Sequence, residues 1–422
     1  MSAFDRSDLN NGMGIELPGM EKSVSTLELV YGNSVRGNLL FAGNAQLESG
    51  TSAVEVIDLE AAVTAALQTP IEFPSVELAM VPGDRVVLAV DPSAPRMAEV
   101  VEHVVSYLHR HGVPTAQISV VLAGHAQADT TELSRLLPKD VAIELHDADD
   151  KTKVAYVAAN KQGEPIYMNR SMVDADVVIP IMCARGRGAI DYEGAYGVFP
   201  LLTDRKTRGQ FFNLRQLADP SEHQRLTAWA DEAAWWVGLL VAVQVIPAPD
   251  GGVAAVLAGS PQMLEAAVQN AMNQFWQTPV DPTYDAVIAL IDGGPGQQTW
   301  DSVARALAAA SPLVSPEGAL IVCTELSQRP GPALRRLNSP NRSEEDIAKK
   351  LASDASDDAL AAAVLLRSLE ASHVYLLSEL PDEVAESLGM GAIQNLHQAE
   401  HVIHDCASCL VIGSAQHRML SA

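Results

Sequence analysis

The sequence predicts an α/β protein of two domains with a cleft between them. The chain has 422 residues, more than one ordinary hydrophobic core accommodates, so two domains are expected. Hydrophobic residues make up 48% of the chain and aromatic residues only 5%. This balance is typical of sheets built from small and branched side chains and covered by helices. The third observation is a regular alternation of strand and helix patterns.

Four segments follow one another along the chain. Residues 1–24 are polar and are interpreted as a mobile leader. A first α/β domain is expected over 25–275 and a second over 279–405, followed by a terminal strand and tail over 406–422. The first domain opens with the strand pattern STLELVYGN and with a helix for which Asp58 is a suitable N-cap.

The clearest pattern is a β-α-β-α-β alternation. The strand PGDRVVLAVD ends at Asp91 and ISVVLAGH ends at His125; helices are expected over 96–111 and 131–137, and a third strand over 141–146. Such an alternation predicts a parallel sheet with right-handed crossovers. Ligands of these sheets bind beyond the carboxyl ends of the strands, so Asp91 and His125 are candidate site residues. For His125 the alternative is an ordinary loop histidine with one hydrogen bond.

Further patterns complete the two domains. A hairpin is expected over 153–169, a buried strand over 175–181, a helix over 223–243 and a strand over 253–258. The apolar run 233–247 is too short to span a membrane and is interpreted as a buried helix. In the second domain, strands are expected within TYDAVIALID, GALIVCTEL, SHVYLLS and CLVIGS.

The charge balance limits the classes of partner. Lys and Arg total 28 against 53 Asp and Glu, a formal net charge of −25, which repels nucleic acid phosphates. The sequence has no apolar stretch of about 20 residues and no signal-peptide pattern, so no membrane association is expected. Four cysteines are too few for a disulfide framework, which indicates a reducing, cytoplasmic location. A small anionic partner requires a local basic patch.

One loop supplies such a basic patch. The sequence CARGRGAIDYEGAYGVFP follows the strand over 175–181 and carries Arg185 and Arg187. Glycines allow backbone amides to approach an anion, and guanidinium groups donate fork-shaped hydrogen bonds to it. Arg185 and Arg187 are therefore candidate substrate-binding residues.

Two other motifs leave alternatives open. GGPGQQT, which begins at Gly293, lacks the Lys-Ser/Thr ending of a phosphate-binding Walker loop, so a plain strand-to-helix turn competes with a nucleotide site. Near the end of the chain, zinc-type ligands are clustered, although a buried cysteine is more often inert packing. The residues of this cluster are His397, His401, His404, Cys406 and Cys409.

Five segments in order resemble the nickel-dependent lactate racemase (LarA-like) family. They are LELVYGN, AALQTPIEFPSVELAMVPGDRVVLAVD, VVLAGHAQADTTEL, GEPIYMNRSMVDADVVIPI and YDAVIALIDGGPGQQTWDSVARALAAASPLVSPEGALIVCTEL. The resemblance implies a two-domain α/β fold with a nickel pincer nucleotide between the domains. That cofactor takes a hydride from a 2-hydroxy acid and returns it to either face, while two histidines act as acid and base.

Carried over residue by residue, the resemblance implies several site residues. Asp91 and Ser93 match the family's cofactor-binding turn, Ala94 stands where its phosphate-binding arginine is expected, and Arg96 is a candidate replacement. His125 matches one catalytic histidine. The implied cofactor-binding residues are Asp91, Ser93, Arg96, Gly293, Gly294 and Trp300.

The chain departs from the family at the nickel site. Tyr196 stands where the covalent lysine is expected, the second catalytic histidine falls near Gly186, and the nickel-binding histidine falls near Phe212. Trp300 also lies in the segment that carries the family's tyrosine, glutamine and lysine. No metal ligand is therefore assigned, and the cofactor is left open, with a pincer nucleotide bound without the covalent link as one option.

Three functions remain. The first is a racemase or epimerase-like enzyme for a 2-hydroxy acid, in which Arg185 and Arg187 hold the carboxylate, His125 is acid or base and Tyr196 is a proton donor. The second is a non-catalytic protein that binds a small anion or a nucleotide in the same cleft. The third is an assembly subunit whose cleft is filled by aromatic side chains.

Overall fold

Two six-stranded sheets organise the part of the chain that the structure describes. The structure is a computed structural model. It describes residues 25–33, 35–41, 44–48, 53–123, 130–186, 190, 199–212, 219–279, 283–338 and 344–421. The predicted leader, residues 1–24, lies outside these ranges. We call each sheet with its helices a lobe, the first lobe being built on the sheet that contains residues 86–90.

The strands and helices have the following bounds. The strands are β1 (Ser25–Tyr31), β2 (Val35–Phe41), β3 (Asn44–Glu48), β4 (Val86–Val90), β5 (Ile118–Leu122), β6 (Ala142–Leu145), β7 (Val154–Ala159), β8 (Pro165–Asn169), β9 (Val177–Cys183), β10 (Ala242–Pro247), β11 (Val253–Gly259), β12 (Gln277–Pro279), β13 (Tyr284–Leu290), β14 (Val314–Cys323), β15 (His373–Leu377), β16 (Gly391–Ile393), β17 (Ser408–Ile412) and β18 (Met419–Ser421). The helices are α1 (Leu59–Gln68), α2 (Met97–Arg110), α3 (Thr131–Leu136), α4 (Arg170–Val173), α5 (Arg205–Phe211), α6 (Pro220–Val237), α7 (Pro261–Trp276), α8 (Trp300–Ala310), α9 (Glu344–Leu351), α10 (Ala359–Ala371), α11 (Asp382–Ser387) and α12 (Leu396–Ile403).

The sheet of the first lobe has the strand order β11-β10-β9-β4-β5-β6. All neighbours are parallel except β10 and β11. The run β4-α2-β5-α3-β6 confirms the predicted β-α-β-α-β alternation. Every residue of β4 is buried, because its two faces enter different apolar clusters: Val86, Leu88 and Val90 face one, Val87 and Ala89 the other.

The sheet of the second lobe has the order β16-β15-β14-β13-β17-β3, and all its neighbours are parallel. Its edge strand β3 comes from the start of the chain, a segment that the sequence interpretation placed in the first domain. The short sequence NAQLE carries no local signal for the sheet it joins. At the other end of the chain, β18 pairs in parallel with β12, next to the boundary near residue 279.

One predicted helix is wrong in its extent. The helix expected over 223–243 ends at Val237, where Gly238 adopts a left-handed conformation with φ of 72°, and residues 242–247 form strand β10. Each residue of β10 is buried, so the strand lacks the alternation that distinguishes strand from helix. Among the described residues, no helix is both long and apolar enough to cross a membrane.

Other local predictions are confirmed. Asp58 caps α1 by accepting a hydrogen bond of 2.9 Å from the backbone N–H of Ala61. The hairpin expected over 153–169 is the antiparallel pair β7 and β8. One apolar cluster includes Val87 and Ala89 of β4 together with Val287 and Ala289 of β13. The two lobes therefore share a continuous core.

Candidate functional site

The strand order reverses once in each sheet, and both reversals carry polar side chains. From β4 the chain proceeds outward to β5 and β6, whereas β9 lies on the other side of β4. From β13 it proceeds to β14, β15 and β16, whereas β17 lies on the other side of β13. A crevice forms at such a reversal because the connections leave the strand ends in opposite directions, and ligands of open α/β sheets bind there.

In the first lobe, Asp91 and Arg185 occupy the reversal between β4 and β9. Asp91 follows β4 directly and is 4% exposed. Its Oδ1 accepts hydrogen bonds from the backbone N–H of Ser93 at 2.8 Å and from the Ser93 hydroxyl at 2.6 Å, and its Oδ2 accepts from the backbone N–H of Cys183 at 3.3 Å. The carboxylate thus fixes the turn after β4 against the end of β9.

The guanidinium group of Arg185 contacts this turn. Its Nη2 donates a hydrogen bond of 2.7 Å to the Ser93 hydroxyl and lies 3.6 Å from Oδ2 of Asp91. The side chain is only 11% exposed. From the other side, the Gln269 amide of α7 donates to the Arg185 carbonyl oxygen at 3.0 Å. The turn after β4 therefore positions the guanidinium group, and α7 holds the Arg185 backbone.

In the second lobe, Asp292 follows β13 as Asp91 follows β4. It is 2% exposed. Its carboxylate accepts hydrogen bonds from the Ser414 hydroxyl at 2.6 Å, from Nε2 of Gln416 at 2.7 Å and from the backbone N–H of Asp250 in the first lobe at 2.6 Å. Burial raises the pKa of Asp292, while these hydrogen bonds act in the opposite direction.

A buried polar triplet lies beside Asp292. The side-chain oxygen Oε1 of Gln297 accepts from Nε2 of Gln416 at 2.8 Å and from Nε2 of His417 at 3.1 Å. Because an amide oxygen only accepts, the proton of a neutral His417 ring is on Nε2 and its Nδ1 is an acceptor. The ring packs against Trp276, with centroids 5.3 Å apart.

Positive charge surrounds His417. Burial lowers its pKa well below the usual value, and the positive charges of Arg185, Arg305 and Arg418 lower it further. Arg305 and Arg418 are 8% and 7% exposed. Three poorly exposed arginines at one place are unusual in a chain of net charge −25. This arrangement gathers cationic side chains at one place in an otherwise acidic chain.

The loops that follow the strand ends at the two reversals are in close contact. A Cβ atom on Gly296 would collide with the carbonyl oxygen of Pro92, and one on Gly186 would collide with the side chain of Met419. A Cβ atom on Gly251 would lie 2.6 Å from Cα of Gly293. Glycine is thus required where the lobes meet, because any larger residue would force them apart. We call the region formed by Asp91, Ser93, Arg185, Asp292, Gln297, Gln416 and His417 the interlobe site.

Comparison with known proteins relates part of the first lobe to a known domain family. Residues 41–195 match the model of the lactate racemase N-terminal domain. This segment is similar to that family. It holds the run β4-α2-β5-α3-β6 and β9, and so it includes Asp91, Ser93 and Arg185 of the interlobe site. The resemblance to the lactate racemase family that the sequence indicated is confirmed.

The structural comparisons extend the likeness to the whole fold. The lactate racemase apoprotein from Thermoanaerobacterium thermosaccharolyticum superposes with a TM-score of 0.73 at 15% identity, covering 94% of this chain and 100% of that one. A protein from Thermotoga maritima superposes with a TM-score of 0.65 at 13% identity, covering 87% and 100%. No curated protein matches the chain significantly. The chain therefore has the lactate racemase fold, with both lobes present.

Several predicted site residues meet in the interlobe site. Asp91, Ser93 and Arg185 are in direct contact, and Gly293 lies opposite them in the second lobe. The backbone N–H of Gly293 donates to the carbonyl oxygen of Gly32 at 3.0 Å, so it is not available to a phosphate, whereas no atom lies within 4 Å of a Cβ placed on Gly294. The cofactor and substrate roles of these residues stay predictions.

Arg96, expected to replace the phosphate-binding arginine, is turned elsewhere. It has a left-handed backbone, with φ of 49°, at the start of α2. Its Nε donates to Oε1 of Glu99 at 3.0 Å, and its Nη1 donates to Oε1 of Glu55 at 3.1 Å. The guanidinium charge is therefore shared between two carboxylates within the first lobe.

Trp300 lines a different cavity. The first residue of α8, it is buried, and its Nε1 donates to the carbonyl oxygen of Gln328 at 2.9 Å. The adjoining cavity, of about 530 Å³, is bounded by Asp149 and Arg205 of the first lobe and by residues 300–301, 328–329, 331–332 and 354–358 of the second. Asp91, Ser93 and Arg185 are not among its lining residues. The cofactor role of Trp300 stays a prediction.

Three predicted residues lie outside the part of the chain that the structure describes. They are His125, Arg187 and Tyr196. The structure neither adds them to the interlobe site nor removes them from it, so their assigned roles stay predictions.

Among the described residues, Phe212 and Arg96 do not supply the nickel ligand and the phosphate-binding arginine that the resemblance implies. Phe212, at the expected nickel-ligand position, is 8% exposed and belongs to the shared apolar core. Its neighbour Phe211 packs against Phe199 and Trp229, with centroids 5.3 and 5.6 Å away. A phenyl ring donates no lone pair to a metal, and Arg96 is engaged by Glu55 and Glu99. The anchors expected of the family are therefore replaced by packing and ion pairs.

The cluster of histidines and cysteines near the end of the chain is spread over the surface and the core. Nδ1 of the exposed His397 lies 3.0 Å from Oε2 of Glu400. Nδ1 of the exposed His404 lies 3.0 Å from Oδ1 of Asp405. Burial raises the pKa of the Cys409 thiol to about 12, so it is protonated at neutral pH. Across the described ranges, no three His, Cys, Asp or Glu side chains are grouped to hold a metal ion.

The sequence interpretation missed the second-lobe half of the site. Asp292 was discoverable, since it ends a buried strand and precedes a glycine turn, the same pattern that selected Asp91. Gln297 lies within the GGPGQQT segment but was not selected. Gln416 and His417 follow β17 in a short 3₁₀ turn without a motif, and no local signal identifies them.

Proposed function

We propose that the chain is a lactate racemase-like protein whose interlobe site takes a small 2-hydroxy acid, with Arg185 binding the carboxylate. The observation that carries this proposal is the poorly exposed Arg185 guanidinium, fixed by Ser93 and Asp91 where the strand order of the first lobe reverses. A guanidinium group in a fixed orientation is the usual protein group for recognising a carboxylate.

The charge balance around Arg185 supports an anion. Arg305 and Arg418 add positive charge near it, whereas Asp292, the buried carboxyl of the second lobe, has a raised pKa. Three arginine charges therefore act on this region, together with the Asp91 carboxylate, from which Arg185 lies 3.6 Å away. A carboxylate ligand would offset that charge at low exposure to water, where electrostatic attraction is strong.

For the chemistry, we assign His125 as acid or base, Arg187 as a second carboxylate ligand and Tyr196 as a proton donor, in line with the sequence analysis. The resulting reaction would be inversion at C2, in which His125 removes the C2 proton and Tyr196 delivers a proton to the opposite face. The protein contribution from the described residues is to bind the carboxylate, to orient the acid and to exclude water from the joined lobes.

The experiment uses the purified full-length chain with D- and L-lactate and with larger 2-hydroxy acids. Calorimetry measures binding, and chiral chromatography measures the interconversion of isomers. Binding with interconversion supports the proposal, and Arg185→Lys should then weaken binding at least tenfold because the fork of donors is lost. Absence of binding for all acids overturns it.

A second candidate is a protein that binds the acid without turnover. It is favoured by Phe212, which is core packing, and by Arg96, which is paired with Glu55 and Glu99. Phe212 stands near the position of the family's nickel-binding histidine, and Arg96 is the candidate replacement for its phosphate-binding arginine. Binding of one isomer without any interconversion, in protein purified from cells that contain the pincer-synthesising enzymes, would support this candidate over the first.

A further inference from the structure

The buried atom Nδ1 of His417 has no hydrogen-bond partner among the described residues. The other ring nitrogen donates to Oε1 of Gln297, which fixes Nδ1 as an acceptor. The residue is 6% exposed. Leaving a buried acceptor unsatisfied costs about 1–3 kcal/mol, so such an atom in a folded protein requires an explanation.

His417 lies beside the carboxylate-binding residue of the first lobe. Gly186, which follows Arg185, touches the side chain of Met419, two residues after His417. The charge of Arg185 also reaches the His417 ring strongly enough to lower its pKa. The ring therefore stands across the lobe boundary from Arg185, where the second lobe contributes to the interlobe site.

We propose that Nδ1 of His417 accepts a hydrogen bond from the hydroxyl group of the ligand whose carboxylate binds Arg185. This inference rests on the proposed function and specifies the ligand further. His417 is then a binding residue that selects for a hydroxyl group.

The chemistry of the surroundings selects the hydrogen-bond donor. A carboxylate has no proton to donate to Nδ1. An ammonium group has, but Arg185, Arg305 and Arg418 repel it. A neutral donor remains, and in a small acid that donor is a hydroxyl group. The site should therefore prefer a hydroxy acid to both the deoxy acid and the amino acid of the same size.

A neutral ring is a condition of this role, because a protonated imidazole has no acceptor atom. Burial and the three arginines maintain the neutral form. Oε1 of Gln297 accepts a hydrogen bond from Nε2 of Gln416, which fixes the orientation of the Gln297 amide. The same oxygen accepts from Nε2 of His417 and so keeps the ring proton on Nε2. Gln297 and Gln416 are thus positioning residues for His417.

The chain contains a matched control. His146 is also buried, at 3% exposure, and burial lowers its pKa as well. Both of its ring nitrogens have partners: Nε2 pairs with the Thr203 carbonyl oxygen at 2.8 Å, and Nδ1 pairs with the Asn169 amide at 3.2 Å. Replacement of His146 by glutamine therefore removes a buried histidine without removing an unpartnered acceptor.

The test compares lactate, propionate and alanine by calorimetry on the full chain, on His417→Gln and on His146→Gln. The unchanged protein should bind lactate about five- to tenfold more tightly than propionate, the value of one hydrogen bond, and alanine more weakly than lactate. His417→Gln should remove the preference for lactate over propionate, whereas His146→Gln should keep it.

Equal binding of lactate and propionate by the unchanged protein overturns the role of His417 but leaves carboxylate binding by Arg185 intact. The role of His417 is also overturned if the His417→Gln variant still prefers lactate to propionate. Failure of every acid to bind overturns the proposed function itself. A buried water molecule, rather than a ligand, would then be the partner of Nδ1.

If His417→Gln does not fold, NMR spectroscopy of the unchanged protein tests the same proposal. In protein labelled with ¹⁵N-histidine, neutral His417 should show one protonated nitrogen and one unprotonated nitrogen. Addition of lactate should shift the unprotonated resonance, as expected for a new hydrogen bond, and propionate should not. An unchanged resonance at saturating lactate contradicts the proposal.

Discussion

A Cβ atom on Gly296 would collide with the carbonyl oxygen of Pro92. Pro92 follows the strand-end residue Asp91 of the first lobe, and Gly296 lies in the turn that follows Asp292 of the second. The two lobes are therefore in backbone contact at the carboxyl ends of β4 and β13, and the interlobe site has no room for a side chain at this point.

We predict that Gly296→Ala destabilises the protein by about 1–3 kcal/mol, because the colliding atom belongs to the backbone and has little freedom to move. Urea unfolding measures the loss. Gly294→Ala is the control, since no atom lies within 4 Å of its Cβ and its φ of −72° suits alanine. An equal loss in both variants would show that the lobes are not held at this distance.

We predict that Arg185→Met destabilises the protein by about 3 kcal/mol, because Asp91 is left as a buried carboxylate without its cation. Arg110→Met is the control: its pair with Glu60 at 2.8 Å is half exposed, so its loss should cost less than about 1 kcal/mol. Both are measured by urea unfolding at low and high salt. Similar losses for the two variants would contradict the buried pairing of Arg185.

The sequence predicted the sheet of the first lobe where local pattern and burial agree. The strand before Asp91 and the amphipathic helix after it differ in length and in the spacing of their apolar residues. Both were therefore predicted from the sequence. Strand β10 was not, because all its residues are buried and its apolar run continues that of α6. Only Gly238, with its left-handed conformation, marks the end of that helix.

The candidate site was half predictable for a related reason. Asp91 lies at a strand end that the alternation of elements locates, so the rule for ligand sites in α/β sheets selected it. Arg185 was selected because it lies in a glycine-rich loop of an otherwise acidic chain. His417 reaches Arg185 only because β17 lies beside β13 and the chain then turns back to the lobe boundary. That approach depends on the packing of two sheets, and no spacing in the sequence records it.

A second contact between the lobes involves ion pairs. Asp357 of the second lobe lies 2.9 Å from Nη1 of Arg205 and 3.3 Å from Nη2 of Arg208, and the Arg208 side chain is only 7% exposed. We predict that Asp357→Asn costs about 1–3 kcal/mol, since Arg208 keeps a buried charge without its carboxylate. Thermal unfolding and limited proteolysis between the lobes measure the effect.

Asp149→Asn is the matched control for Asp357. It also pairs with Arg205, at 2.6 Å, but it is 63% exposed and belongs to the same lobe as that arginine. The expected loss is below about 1 kcal/mol and should decrease with salt. A larger loss for Asp149→Asn than for Asp357→Asn would show that the pairing across the lobes contributes little.

The last prediction concerns acid. Burial lowers the pKa of His417 and of His146 in the folded protein, whereas in the unfolded chain both protonate near pH 6.5. Below that pH the unfolded state binds more protons than the folded state. The free energy of unfolding should therefore fall as the pH drops from about 6.5 towards the lower folded-state values, by up to about 1.4 kcal/mol per pH unit for each histidine.

Urea unfolding between pH 7.5 and 5.0, pH values chosen to bracket the ordinary histidine range, measures this slope. His417→Gln should make the slope shallower, because one of the two buried histidines then no longer contributes to it. Asp292 has a raised pKa and acts in the opposite direction, since its folded state binds protons more readily. Because Asp292 is present in every variant, the difference between slopes reports on His417, and equal slopes would show that its ring is not held neutral by the fold.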